Sequence, residues 1–373
     1  SDFAFALRCL RPSSGLVQHP PHQCRHLLGG GTFGDFFDPT EKFKQGFLAM
    51  ANQHITLEGI GLSLGYSQQG KRKELLRDLS FQLYSGELTC LLGPNGVGKS
   101  TLIKAILGDL KPWEGRLILD QQELHTYSLE ERAKRIAVVL SEPSYPGNLT
   151  VGQLVALGRT PHTSWGGKLS TEDRNWVDQA LSDTRLTAMQ DERLGELSDG
   201  QRQKAMIARA LAQDGKVLVL DEPTAHLDLI NRLEIMTLLR EISQKKEKAV
   251  LVVTHDLDIA LETADRFWLM NCGSPLHIGR PEDILLSGKI QNLFPGEKYR
   301  FELERGKVEL VQDPDNLSIE GPAAGVYWVK KALQKAGIKK LDQTLVVSTP
   351  FGLRLRDQTF SSIEELIKEA KNI

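Results

Sequence analysis

Three observations predict an α/β fold built on a largely parallel sheet. An apolar run over residues 88–92 reads as a buried strand, and it runs straight into Gly93-Pro94-Asn95-Gly96-Val97-Gly98-Lys99-Ser100-Thr101. A helical spacing of Leu102, Ile103, Ile106 and Leu107 follows. Two more short apolar runs, 217–220 and 249–253, end in Asp221-Glu222-Pro223 and Thr254-His255-Asp256. Continuous apolar runs of this length suit parallel strands covered on both faces. Their carboxyl ends form the rim where open α/β sheets bind ligands.

The chain has 373 residues, enough for two domains with a large core in at least one. Its 46 basic and 48 acidic residues nearly balance, which gives no general argument for nucleic acid or a charged membrane surface. The 4 cysteines show no paired short spacing, so a reduced, cytosolic compartment is expected. No apolar run approaches the roughly 18–20 residues that span a bilayer. Any work at a membrane would need a partner.

Residues 1–49 differ from the rest. They hold Pro12, Pro20, Pro21, Pro39 and a Gly29-Gly30-Gly31 run, without sustained periodicity. The expectation is a disordered N-terminal extension, with Met50 as the natural start. His19, His22, Cys24 and His26 are metal-ligand types and read as adventitious binders in such a tail. Residues 53–90 alternate like antiparallel strands, through Ile55, Leu57, Ile60, Leu62 and Leu64, then Leu79, Phe81 and Leu83. Tyr66 ends the first run, either as an ordinary strand-end aromatic or as a platform for a base.

After the loop helix, residues 115–120 read as a strand. Ser128 and Glu131 make a capping pattern, and residues 136–140 are another apolar strand, ending at Ser141-Glu142. Helical spacing dominates 150–192, which suggests an all-helical subdomain over about 143–195. A polar turn, Leu197-Ser198-Asp199-Gly200-Gln201, feeds a helix carrying Ala205, Ile207, Ala208 and Leu211. Residues 267–278 read as a closing hairpin. Beyond Pro295-Gly296 the style changes to a ββαββα order over 295–373, a small α+β domain without recognisable chemistry.

The loop at 93–101 fits G-x-x-x-x-G-K-[ST], in the strand-loop-helix setting that a phosphate-binding loop requires. Its glycines let successive N–H groups turn toward one anion, and the helix start adds positive partial charge. Lys99 would reach the β- and γ-phosphates, and the Ser100 hydroxyl would ligate Mg²⁺. Asp221 would hold the metal from the opposite side. Glu222 is placed to polarise an attacking water, help that contributes about 10²–10⁴-fold. His255 could hydrogen-bond the γ-phosphate. Phosphoryl transfer to water needs little beyond this placement and positive groups on the equatorial oxygens.

Over about residues 50–292 the chain resembles the ATP-binding-cassette ATPases. Residues 93–101 match the family's Walker A motif. Residues 197–201 match its Leu-Ser-Gly-Gly-Gln signature, with Asp199 in place of the first Gly. Residues 217–222 match Walker B, Leu227-Asp228 the D-loop, His255 the switch histidine and Tyr66 the base-stacking aromatic. The resemblance implies a phosphate-loop ATPase with a mixed sheet core, an antiparallel β subdomain and a helical subdomain, followed here by the small C-terminal domain. It also implies a head-to-tail homodimer, in which Ser198 and Gly200 of one copy close over the ATP and Mg²⁺ held by the other. Where the family has Gln after the apolar strand 136–140, this chain has Ser141 or Glu142, and Glu142 is the better oxygen donor for Mg²⁺.

Residues 149–161 resemble the importers of iron-siderophore, haem and cobalamin complexes, in which this region docks on a membrane subunit. The resemblance therefore implies the ATPase subunit of a metal-chelate importer, peripheral at the cytoplasmic face of the inner membrane. It would act with membrane-spanning permease subunits and, indirectly, a substrate-binding protein. A soluble cassette protein acting on ribosomes or nucleic acid is the alternative, but one cassette and a balanced charge argue against a nucleic-acid partner. A further reading gives 295–373 a role in sensing a ligand or holding the dimer. Glu142→Ala is expected to slow ATP hydrolysis far less than Glu222→Gln. Steady-state phosphate release from both variants checks that ranking, and equal losses overturn it.

Overall fold

The computed structural model describes residues 54–68, 71–140, 148–164, 167–294, 296, 298–311 and 315–372. The extension 1–49 and the Ser141-Glu142 pair lie outside these residues. Described first is a long antiparallel hairpin, β1 (Ile55–Gln68) and β2 (Lys71–Tyr84). Leu57, Leu62 and Leu64 are buried although the first two differ in parity, while Ile60 between them is 37% exposed. The cause is a bulge. Gly61 sits at φ +57° and the register shifts between Gly59 and Leu62, which turns the strand over.

Strand β3 (Leu88–Leu92) is buried at every position and leads through the glycine loop into α1 (Lys99–Ile106). Strands β4 (Glu114–Leu119) and β5 (Gln122–Glu123) complete a four-stranded antiparallel sheet in the order β2-β1-β4-β5. Ser128 and Glu131 form the expected capping box of α2 (Leu129–Ala133), and β6 (Ile136–Val139) follows.

The helical layer comprises α3 (Val151–Ala156), α4 (Thr171–Asp183) and α5 (Asp199–Ala212), each opened by a capping box from Thr150, Ser170 and Ser198. Arg159, buried in the turn after α3, ties the three together. Its Nε meets Asp173 Oδ1 at 2.8 Å on α4, and its Nη1 donates to the Ala212 carbonyl at 2.8 Å at the end of α5. Arg159 thus serves the subdomain's packing.

The chain then alternates as α/β units: β7 (Val217–Asp221), α6 (Leu229–Lys246), β8 (Ala249–Val253), α7 (Leu257–Thr263), β9 (Arg266–Leu269), β10 (His277–Gly279) and α8 (Pro281–Leu286). The central sheet runs β10-β9-β3-β8-β7-β6. Every neighbouring pair from β9 to β6 is parallel, and β10 closes antiparallel on β9. The carboxyl ends of β3, β8 and β7 therefore lie side by side.

The C-terminal region departs from the expected ββαββα order. Strands β11 (Tyr299–Glu302) and β12 (Lys307–Leu310) pair only with each other. A separate sheet, β13-β14-β15-β16, is built from β13 (Ile319–Glu320), β14 (Leu345–Ser348), β15 (Gly352–Leu355) and β16 (Gln358–Phe360). Two helices accompany it, α9 (Ala323–Lys335), which follows β13 in the chain, and α10 (Ile363–Asn372). The two added strands are too short to show a period of two. The hairpin leans the other way: Phe301 packs into the core that contains β3 and α5, and Gln291 brackets its edge, donating to the Tyr299 carbonyl and accepting from the Phe301 N–H.

Asp173 accepts from the Ser170 hydroxyl and N–H as well as from Arg159, and these bonds hold its carboxyl down to about 2. A depressed folded-state value means the stabilisation is full above the ordinary 3.8 and is lost as pH falls through about 2. Asp173→Asn is therefore expected to lower the thermal midpoint at neutral pH. The gap to the unaltered protein should close as pH is lowered from 3.8 toward about 2, read by circular dichroism at each pH.

Candidate functional site

The loop after β3 wraps around its own lysine. Gly98 caps α1 at φ +114°, a left-handed conformation that side chains resist. A Cβ there would stand 2.7 Å from Leu76 of β2, so the loop is seated against the antiparallel sheet as well as on its own strand. Lys99 is buried, and its Nζ donates to the carbonyls of Gly93 at 2.7 Å and Pro94 at 3.2 Å. Burial pushes the ammonium below the ordinary lysine range, and the charges of Glu222 and Asp221 hold it up. Val97 and Thr101 are buried, whereas Asn95, Gly96 and Ser100 face solvent.

Asp221 closes β7 and Glu222 follows in the left-handed region at φ +50°. A non-glycine residue held there stores strain of about 1–3 kcal/mol, which recurs at functional sites. The Glu222 N–H donates to the Val253 carbonyl at the end of β8, and this bond fixes the turn. Burial raises the Asp221 carboxyl, the like charge of Glu222 adds to the rise, and Lys99 opposes it. His255 comes off β8, with Nδ1 2.9 Å from Glu222 Oε2. The contact is close but poorly aligned, and Glu222 Oε2 is buried without a hydrogen-bond donor. Lys99, Asp221, Glu222 and His255 thus meet at the ends of three adjacent strands.

The polar turn 197–201 lies at the start of α5. Ser198 Oγ accepts from the Gln201 N–H at 3.3 Å, and Gln201 Oε1 accepts from the Ser198 N–H at 2.9 Å. The N–H groups of Asp199 and Gly200 have no acceptor within the helix. The Asp199 carboxylate turns aside to Arg202 at 3.0 Å, and Leu197 is buried beneath the turn. Gly200 packs against Asn231, whose Oδ1 would lie 2.6 Å from an added Cβ. Asn231 is in turn held by Asp228, which caps α6 by accepting from its N–H and Nδ2, both at 2.8 Å. These bonds, the backbone one first, hold the Asp228 carboxyl below its usual range. One turn on, Arg232 meets Asp256 at 3.0 Å, beside His255.

Tyr66 is half-buried, and its hydroxyl lies 3.3 Å from Thr101 Oγ1 at the start of α1, with the Lys104 ammonium 5.8 Å from its ring centroid. Leu76, Asn231 and Arg232 join the site without having been singled out in the sequence. Asn231 carried a weak signal, an Asp-x-x-Asn cap. The other two carried none, because each is a partner found only across the fold. Among the described residues no group of three His, Cys, Asp or Glu side chains is arranged to hold a metal by itself. The donor set nevertheless suits Mg²⁺ held jointly with phosphate: the exposed Ser100 hydroxyl is a hard oxygen donor, and Asp221 is a carboxylate that a cation would relieve.

A family model described as ABC transporter matches residues 76–225. An ABC transporter ATP-binding protein of Methanocaldococcus jannaschii is 36% identical over 253 residues, which is 68% of this chain and 86% of the relative. The iron(3+)-hydroxamate import ATP-binding protein FhuC of Bacillus subtilis is 34% identical over 233 residues, 62% of this chain and 85% of the relative. Among solved structures, a metal-chelate type ABC transporter in an inward-facing conformation superposes with a TM-score of 0.57 at 30% identity, over 69% of this chain and 97% of that one.

Gly98→Ala is expected to weaken ATP binding by at least about fivefold, since a left-handed side chain costs roughly 1–2 kcal/mol before any clash is counted. Adding Leu76→Ala should recover only the steric part of the loss. Titration with a fluorescent ATP analogue measures both, and unchanged affinity in the single variant overturns this account of the loop.

Proposed function

The chain belongs to the ATP-binding proteins of ABC transporters, and from that premise we propose that it powers import of a metal chelate of the iron-siderophore, haem or cobalamin type. It is an ATPase subunit. The substrate class rests on the iron(3+)-hydroxamate import relative and the metal-chelate type structure. No helix among the described residues is long and apolar enough to cross a membrane. Transport in this reading runs through separate membrane-spanning permease subunits. In this reading the protein docks peripherally at the cytoplasmic face of the inner membrane, through the helical subdomain of about 143–195. Residues 50–292 are the cassette and 295–373 a smaller unit beside it. A substrate-binding protein acts on the permease from the far side.

The observation that carries the reading is the meeting of Lys99, Asp221, Glu222 and His255 at the ends of three neighbouring strands. Lys99 exchanges its loop carbonyls for the β- and γ-phosphates, and the N–H groups of 93–101 surround them. Tyr66 stacks on the base. Bound Mg²⁺ would neutralise charge on the phosphates, with Ser100 and Asp221 as its protein ligands and Glu142 as a further donor. Glu222 Oε2, which lacks a donor, accepts a hydrogen bond from the attacking water and aligns it. His255, standing against that carboxylate through Nδ1, offers its other ring nitrogen to the γ-phosphate.

The remaining half of the site comes from a second copy. Leu197, Ser198, Asp199, Gly200 and Gln201 present a helix start that favours anions, supported from behind by Asn231 and Asp228. Beside it, Leu229 and Ile230 are 71% and 72% exposed, an apolar pair suited to burial against a partner. ATP sandwiched between two copies closes the dimer, and hydrolysis opens it. Glu222→Gln is expected to accumulate an ATP-bound dimer, seen by size-exclusion chromatography with light scattering. A variant that stays monomeric in saturating ATP and Mg²⁺ overturns the sandwich. Uptake of a radiolabelled ferric hydroxamate by cells should be lost on Lys99→Ala. Uptake that persists, or failure to co-purify with a polytopic membrane protein, overturns the import reading.

A further inference from the structure

The β11–β12 hairpin meets α9 through side chains, with Glu309 and Arg305 against Tyr327, and leaves space beside them. Between them lies a cleft of about 910 Å³, within the range of small-molecule sites. Its walls carry five cations, Arg300, Arg305, Lys330, Lys331 and Lys335, against two carboxylates, Glu309 and Asp315. Both carboxylates are already engaged. Glu309 Oε1 accepts from the Tyr327 hydroxyl at 2.9 Å and lies 3.5 Å from Arg305 and 3.8 Å from Lys331. Asp315 meets Lys330 at 3.0 Å and accepts from Gln334. Lys335 has no ion-pair or hydrogen-bond partner among the described residues. Arg300 is paired with Glu302 at 3.2 Å and Lys331 donates to the Tyr327 hydroxyl at 2.8 Å, so the excess of positive charge rests on Lys335 and on the one carboxylate that Arg305 and Lys331 share.

Its apolar part is equally unpaired. Val308, Leu310 and Val311 are 38%, 61% and 52% exposed, because the hairpin joins no larger sheet. At the centre the Arg305 guanidinium lies 3.6 Å from the centroid of the Tyr327 ring, and Trp328 meets the same ring edge-on at 5.0 Å. One face of the planar guanidinium is thus occupied, and the side chain is still 43% exposed. A flat group can stack on its outer face. The hairpin wall is anchored through Phe301 and the Gln291 bracket, so the cleft is held open before any ligand arrives.

We propose that this cleft binds an organic anion: a planar, apolar ring system carrying a carboxylate or similar acidic group. The ring would lie over Arg305 and the Val308–Leu310 strip, and the acid would face Lys335 and Lys331. An inorganic anion would leave the apolar strip uncovered, and a neutral ring would leave the cations uncompensated.

The full chain is titrated calorimetrically with 1-naphthoate, inorganic phosphate and 1-naphthalenemethanol. Saturable binding of one naphthoate per chain is expected, with phosphate and the alcohol each roughly tenfold weaker or more, the value of one charge-assisted contact. Arg305→Gln combined with Lys335→Gln should weaken naphthoate by at least about tenfold and leave ATP affinity unchanged. Lys335→Glu, a change at the cleft rim, should weaken naphthoate in the same direction, and thermal midpoints report folding of each variant. Excess ATP should not displace the probe. Absence of saturable binding, phosphate binding as well as naphthoate, undiminished affinity in both variants, or displacement by ATP would each overturn the proposal.

Discussion

The opposition of Lys99 to Asp221 and Glu222 is the interaction on which the rest depends. Burial pushes Lys99 down and Asp221 up from their ordinary ranges, and in each case the charge of the other works against the shift. That mutual support exists only if β3 and β7 end at the same level with β8 between them, which is what the parallel order β3-β8-β7 provides. The cost appears in the backbone. Glu222 occupies a left-handed conformation, and its Oε2 is buried without a donor. A site made this way is balanced but incomplete, and phosphate, metal and water are what would complete it.

The outlying parts are tied to this centre by few contacts. Asp228 holds Asn231, Asn231 backs Gly200, and Arg232 reaches Asp256 beside His255. A change beside His255 can therefore be felt at the start of α5. The helical layer is internally stiff, since Arg159 joins α4 to the end of α5 from the turn after α3. Under the proposed function, that stiffness would let it move as one body against a membrane partner.

The C-terminal region shows where sequence reasoning thins out. Its helices were legible from their spacing, and α9 and α10 lie close to where that spacing puts them. The sheet was legible only in its two middle strands, because β13 and β16 have 2 and 3 residues and β13 pairs with β14 across the intervening helix α9. The hairpin was legible as a hairpin but misplaced in the architecture. Nothing in 299–310 announces that Phe301 belongs to the core beneath the ATPase site. The cleft follows from that placement: the hairpin is seated on the core by Phe301 and reaches α9 through Glu309 and Arg305, which meet Tyr327.

By itself the sequence determined the α/β class, the phosphate loop, the strand-end carboxylates, the histidine and the family, since each is carried by short contiguous runs with a fixed chemical need. It also marked Ser198–Gln201 as a helix start, because capping is local. Only the tertiary structure decided which residues support those motifs. Leu76 behind Gly98, Asn231 behind Gly200, Arg159 across the helical layer and Gln291 on the hairpin edge are ordinary residues in one dimension. The physical reason is range. Propensity, capping and loop curvature act over a few residues, whereas close approach and paired burial of charge act through space between segments that the chain order does not bring together.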